Sequence, residues 1–335
     1  MSNRYLLGAD VGGTRTTFAL AAEGELPRIA AQHVYSSQDF NSLGDILASF
    51  VSRPEVARHY DAIAGACFSV AGPVANNASK LTNLGWMTDG AALARDFKLP
   101  GVTLVNDFSA AAMGITALGP SDIETLQTGN PVTGGTRLIV GAGTGLGVGL
   151  LTWRGDGYDA QPSEGGHADF APVDETQDRL LAHLRRSFGH VSYERVVSGP
   201  GLMRIFSFLQ DDGAGIPSKA LLDASNKRSD TAELIAEFAL AKLDPLAVRA
   251  LDLFVAVYGA FAGNMAVTTL ARGGVFIAGG IAPKIAAKMR DGAFVRAFVS
   301  KGRYGELLAT IPVHVVMNPQ VGLLGALYQA ARLAR

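Results

Sequence analysis

The chain has 335 residues, more than one hydrophobic core usually serves, so two domains are expected. With 48% hydrophobic and 18% charged residues and a net charge of −1, it belongs with folded globules, and the lack of a basic stripe excludes nucleic acid as an expected partner. The single cysteine, Cys67, excludes an internal disulfide and any multi-cysteine zinc site, and no apolar run suggests a membrane partner.

The chain opens with apolar segments broken by glycine. "RYLLGAD" and "RTTFALA" predict two strands joined across Val11 to Thr14, and "RIAAQHVYS" a third. Because residues 1 to 5 run straight into a strand, no signal peptide is expected and a cytoplasmic location is the default. "NSLGDILASFV" has the spacing of an amphipathic helix with Asn41 or Ser42 as its cap. "AIAGACFSVAG" and "GVTLV" predict short buried strands, and Cys67 falls in the first as a core thiol. "SAAAMGITAL", after Asp107, predicts an alanine-rich helix. The first third therefore runs strand, strand, strand, helix, strand, helix, strand, helix.

The pattern then restarts. "RLIVGAGTGLGVGLLTW" again predicts strand, glycine turn, strand. "PLAVRALDLFVAVYGAFAGNMAVTTLA" is apolar nearly all round and, with Arg249 and Asp252 inside it, predicts a buried helix rather than a membrane span. A buried strand in "GGVFIAGGIAP", a strand in "IPVHVVM" and a closing helix in "VGLLGALYQAARLAR" complete the chain. Two βββ-αβα halves in tandem are the simplest plan. A cluster of Gly, Pro, Ser and Asp after Leu118 sets the boundary: a small domain over 1–118 plus the C-terminal helix at about 318–335, and a larger one over 119–317.

Neither glycine turn fits the common nucleotide motifs. A Walker A loop requires a lysine and a following helix, and both are missing after Gly12 and Gly13. "GAGTGLG", residues 141–147, fails the dinucleotide spacing because Leu146 occupies the third glycine position. Both turns join strand to strand. Such turns bind phosphate when successive backbone N–H groups converge on it, and Thr14 and Thr144 add hydroxyl donors. An acid at Asp10 suits a phosphate site when a hard cation such as Mg2+ lies between. Ordinary hairpins are the plainer alternative for either turn alone. Two turns, an aspartate at the strand end and a third Gly-Gly after "VFIA" favour a nucleotide clamp.

Asn106 and Asp107 follow the strand "GVTLV", at the carboxyl end where open α/β sheets place ligands. An Asp there also suits a helix N-cap. Glu164 and His167 lie three apart in a turn too glycine-rich for a helix, and carboxylate and imidazole groups are what a polyol binds. They suit a metal less, since no third ligand is evident. Trp86 and Phe108 flank these segments and suit core packing better than sugar stacking.

Taken together, "GADVGGT", "FSVAGPV", "LTNLGW", "VNDFSAAAMGI", "GAGTGLGVGLL", "SEGGHADFAP", "YERVVSGPGL", "GGVFIAGGIAPK" and "PQVGLLGAL" resemble the sugar-kinase branch of the actin, Hsp70 and hexokinase superfamily. Within that branch the chain is similar to the bacterial glucokinase family over nearly its whole length. The resemblance implies a two-lobed, actin-like (ribonuclease H-like) α/β fold of duplicated βββαβα domains with a cleft, ATP and Mg2+ as cofactors, glucose as substrate, and a homodimer. It implies Asp107 as the base for the sugar 6-hydroxyl. It implies sugar contacts from Asn83, Asn106, Asp107, Glu164, His167 and Glu194. Nucleotide contacts are expected from Ala9, Asp10, Val11, Gly12, Gly13, Thr14, Gly143, Thr144, Gly145, Gly279 and Gly280, with Asp10 near Mg2+ through water. A kinase of another hexose, such as N-acetylmannosamine or fructose, is the nearest rival. The cysteine- and histidine-rich zinc motif of related repressor–kinase proteins has no counterpart here. A non-catalytic sugar sensor of the repressor kind needs an N-terminal helix-turn-helix, where this chain starts a strand.

Overall fold

The computed structural model describes residues 4–24, 28–81 and 84–334. They form two units: unit 1 runs to Gly119 and adds Gly149–Pro162 and the chain from Asn318, and unit 2 takes Pro120–Val148 and Ser163–Met317.

Unit 1 is built on strands β1 (Tyr5–Val11), β2 (Arg15–Ala22), β3 (Arg28–Ser36) and β4 (Ile63–Val70). Three short strands follow, β5 (Val74–Ala75), β6 (Ala78–Leu81) and β7 (Trp86–Asp89), and then β8 (Val102–Asn106). The main sheet has the order β3-β2-β1-β4-β8, with β2 antiparallel to both neighbours and β1, β4 and β8 parallel. Alternation along β1 sends Leu7, Ala9 and Val11 into a core with Ile46, Leu47 and Phe50 of the helix Leu43–Val51. Leu6 and Cys67 face the other way, onto Leu323, Ala326 and Leu327 of the helix Val321–Leu333. Ser42 is the cap of the first of these helices, accepting the Asp45 N–H. Burial pushes the Cys67 thiol up to about 12, so it is a core group and not a reactive one.

The small antiparallel sheet β5-β6-β7 has no counterpart in the sequence expectation. Its strands have two to four residues, and sequences such as WMTD do not alternate apolar with polar, although burial alternates along Trp86–Asp89. The helix Asp107–Gly114, which starts at the end of β8, crosses the helix Val321–Leu333 at backbone contact. A Cβ at Gly325 would stand 1.7 Å from the Ala110 carbonyl oxygen, so only glycine permits this crossing.

Unit 2 contains β9 (Ile123–Gln127), β10 (Arg137–Ala142) and the start of β11 (Leu146–Trp153). Most of β12 (Tyr158–Ser163) lies in Gly149–Pro162, where Arg332 of the C-terminal helix donates to the Tyr158 carbonyl and pairs with Asp159 at 2.8 Å. Returning to unit 2, β13 (Gly274–Ala278) and β14 (Val313–Val316) complete the order β10-β13-β14-β9. The three parallel strands β10, β13 and β14 repeat the plan of β1, β4 and β8. An antiparallel edge strand, β9, is added without a sequence signal. The helix Pro245–Thr269 is long and apolar enough to cross a membrane by composition, yet most of it is buried inside unit 2. Its Tyr258 hydroxyl accepts the Ala142 N–H at 3.1 Å, fixing the end of β10.

Candidate active site

In unit 1 the parallel register brings three strand ends level. Asp10 of β1 pairs with Ser69 of β4, and Val70 pairs with Asn106 of β8. The Ser69 hydroxyl donates to Asp10 Oδ1 at 3.1 Å. Burial pushes the Asp10 carboxyl above its ordinary value, and the Ser69 bond only partly offsets this.

Asn106, not Asp107, caps the helix that follows. Its Oδ1 accepts the N–H groups of Phe108 at 2.9 Å and Ser109 at 3.3 Å, while its Nδ2 donates to the Gly72 carbonyl at 3.0 Å. Asp107 is the first helical residue, and its Oδ1 accepts the Phe108 N–H at 2.8 Å. Burial raises the Asp107 carboxyl, the Phe108 bond opposes that, and the Asp10 charge adds to it. Unit 1 therefore holds two interacting carboxylates that would gain from a cation or a donated proton.

The first glycine turn is braced from below. Gly12 N–H donates to the Arg15 carbonyl at 2.9 Å, Ser37 N–H to the Thr14 carbonyl at 2.9 Å, and the Ser37 hydroxyl to the Gly12 carbonyl at 2.8 Å. Thr14 is exposed, whereas the Ala9 and Val11 side chains lie in the core, which leaves these two only their backbone to offer a ligand. Trp86 is likewise a core residue.

In unit 2 the second glycine turn closes through Gly143 N–H on the Gly145 carbonyl at 2.8 Å. Gly143, Thr144, Gly199, Pro200 and Gly280 border a cavity of about 660 Å3, within the range of small-molecule sites. Gly279 instead makes the turn at the end of β13, in the left-handed conformation with φ of 81°, and Ile281 N–H returns to the Ala142 carbonyl. The remaining wall is largely apolar, with Leu202, Met203, Ala232, Ala236, Leu240 and Ile285. Lys284 and Glu233, also at the wall, pair at 2.6 Å. The helix Thr231–Leu240 carries no nucleotide signature in sequence, so its face of the cavity has no counterpart among the expected nucleotide residues.

Glu164 precedes and His167 ends a single 3-10 turn, Gly165–His167, with their side chains 90% and 59% exposed and 3.9 Å apart. They are open to a ligand. The strand-like segment after them pairs with the segment leading to Glu194: Phe170 N–H donates to the Val191 carbonyl and Tyr193 N–H to the Ala168 carbonyl, each at 2.9 Å. Glu194 lies against the second glycine turn, accepting the Leu146 N–H at 3.1 Å. Asn83 lies outside the described residues. Among the described residues no cluster of three or more His, Cys, Asp or Glu forms a metal site.

The family model of glucokinase matches residues 7–333. A glucokinase of Trichormus variabilis is 42% identical over 343 aligned positions, covering 98% of this chain and 99% of that protein. The chain belongs to the glucokinase family.

A glucokinase from Yersinia enterocolitica is 36% identical, with 96% and 95% of the two chains covered. Among solved structures, a glucokinase from an Antarctic psychrotroph matches with a TM-score of 0.87 at 28% identity, over 98% of this chain and 99% of that one. A ROK-family glucokinase of Streptomyces griseus, solved with glucose and AMPPNP, shares the fold at a TM-score of 0.64 and 19% identity, over 98% and 99%. The fold class is thus the actin-like one that the sequence motifs implied.

Proposed function

We propose that this chain phosphorylates glucose at its 6-hydroxyl with ATP. The observation that carries this is Asp107: a half-buried carboxylate whose proton affinity desolvation raises, set at the end of β8 in a chain that matches the glucokinase family from residue 7 to 333. Phosphoryl transfer is mainly positioning and charge stabilisation, and its one protein-borne proton step is the orientation and deprotonation of the attacking hydroxyl. Asp107 does this for the 6-hydroxyl. Its ionised Oδ1 is held by the Phe108 N–H, which keeps the carboxylate in one orientation.

In unit 1 Asn106 adds a carboxamide beside the same hydroxyl. In unit 2 Glu164, His167 and Glu194 take ring hydroxyls, acceptors and donors with fixed directions. The cavity of unit 2 takes the adenosine, with Gly280 at its border and the turn at Gly143, Thr144 and Gly145 toward the phosphates. The turn from Val11 to Thr14, with the Ala9 backbone and Asp10 behind it, serves the phosphates in unit 1.

The donor set in unit 1 fits Mg2+. Asp10 would offer a hard carboxylate oxygen; among the described residues its side chain has the Ser69 hydroxyl and no cationic partner, and Mg2+ is commonly held by one or two carboxylates with water and substrate phosphate. Bound there, the ion neutralises phosphate charge. The family likeness also supports a homodimer and a cytoplasmic location, the first of which sedimentation equilibrium tests.

The functional test is a panel of hexoses with ATP and Mg2+, scored for sugar 6-phosphate. Glucose 6-phosphate is the expected product. A preference for fructose or N-acetylmannosamine overturns the assignment of glucose, and no hexose-dependent consumption of ATP overturns the kinase.

A further inference from the structure

Within unit 2 the segment Glu194–Gly199 grips the second glycine turn at both ends. At one end the Leu146 N–H donates to Glu194 Oε2 at 3.1 Å. At the other the Gly199 N–H donates to the Gly143 carbonyl at 2.8 Å. Ser198 stiffens the grip: its hydroxyl donates to the Glu194 carbonyl at 2.7 Å and accepts the Gly201 N–H at 3.1 Å, capping the helix Gly199–Asp211. The approach is tight. A Cβ on residue 145 would stand 2.7 Å from Glu194 Oε2, so glycine at 145 is what lets the carboxylate reach the turn. Gly143, Thr144, Gly199 and Pro200 all border the nucleotide cavity.

We infer that Glu194 is a positioning residue for the phosphate turn, through which sugar occupancy and nucleotide affinity are coupled; the coupling rests on the proposal that Glu194 also takes a sugar hydroxyl. A carboxylate only accepts, and its two oxygens offer several lone pairs. One oxygen fixes the direction of the Leu146 amide and so the shape of the turn before it. Lone pairs remain for a hydroxyl. A hydroxyl bound there narrows the motion of the same side chain and holds the turn in the shape that receives phosphate. The coupling is reciprocal: the factor by which sugar tightens nucleotide equals the factor by which nucleotide tightens sugar.

Two conservative variants separate the roles. Glu194→Gln keeps the length and an oxygen that accepts the Leu146 N–H but loses the charge. Glu194→Asp keeps the charge but is one methylene too short to reach. AMPPNP with Mg2+ is titrated calorimetrically into the full chain, with and without saturating glucose, and glucose is titrated alone. Without glucose, Glu194→Asp is expected to weaken AMPPNP about 10-fold, as loss of a bond to a charged group does, while Glu194→Gln stays within about 3-fold of the parent. Glucose should tighten AMPPNP in the parent and leave it unchanged in Glu194→Asp. AMPPNP affinity unchanged in Glu194→Asp, or lowered equally in both variants, overturns the positioning role. Glucose affinity unchanged in both variants overturns the sugar contact, and with it the coupling, whatever AMPPNP does.

Discussion

Asn106 and Asp107 share one amide: the Phe108 N–H lies 2.9 Å from Asn106 Oδ1 and 2.8 Å from Asp107 Oδ1. The cap and the proposed base are thereby locked to the same first turn of helix. Asn106→Ala removes the cap bonds to Phe108 and Ser109 and the tie to Gly72. A lost cap costs about 1 kcal/mol. The expected result is a lower urea midpoint with an unchanged slope, together with reduced turnover because Asp107 loses its brace. An unchanged midpoint contradicts the role of Asn106 as the cap.

The raised carboxyls have opposite effects on activity and stability. Asp107 must be ionised to accept a proton, so kcat/KM for glucose should fall on acidification at a pH above the ordinary aspartate range. Stability has the other sign. A carboxyl that holds its proton more firmly folded than unfolded favours the folded state below its unfolded value, and that contribution is lost as pH rises through its folded value. Once ionised, Asp107 therefore weakens the fold. Asp107→Asn should have a higher Tm than the parent at pH 7, a difference that shrinks as pH falls through the raised value. A lower Tm at pH 7 would show that the charge is well accommodated.

Much of this was legible before the structure because the signals are local. The two glycine turns sit between apolar runs, and the strands they join are those predicted. The sequence was less explicit at Asp107, where an acid opening a helix suits a cap, and the cap went to Asn106, one residue earlier. The small sheet Val74–Asp89 was invisible because its strands, of two to four residues, are too short to stand out in the sequence as apolar alternating runs. The wall of the unit 2 cavity was invisible for a different reason. Ala232, Ala236 and Leu240 are ordinary helix residues, and only the fold turns their face toward Gly143 and Gly280. Likewise, no break in composition sets Gly149–Pro162 apart from unit 2.

That wall supplies a third test. Ala236→Phe fills part of the cavity from a half-buried position. The KM for ATP should rise by about 10-fold or more, in keeping with the 1–3 kcal/mol cost of overpacking, while the KM for glucose at saturating ATP stays near the parent value. A rise in both would place the adenosine elsewhere.

The proposed sugar contacts Glu164, His167 and Glu194 carry a prediction about specificity. An epimer leaves one of these polar groups unpaired, which costs about 1–3 kcal/mol where the bound sugar buries that group. Glucose should exceed galactose in kcat/KM by at least about 10-fold, and His167→Ala should narrow the ratio. Equal use of the two sugars by the parent contradicts a role for these residues in selecting the sugar.

The most direct test of the account is turnover of Asp107→Asn with glucose and ATP, read beside glucose binding by calorimetry. Asparagine keeps the size and an acceptor for the Phe108 N–H but cannot take the hydroxyl proton. A positioned general base contributes about 10²–10⁴-fold. The account predicts that turnover falls at least about 100-fold while glucose still binds. Turnover near the parent value, with glucose bound, would show that Asp107 is not the base.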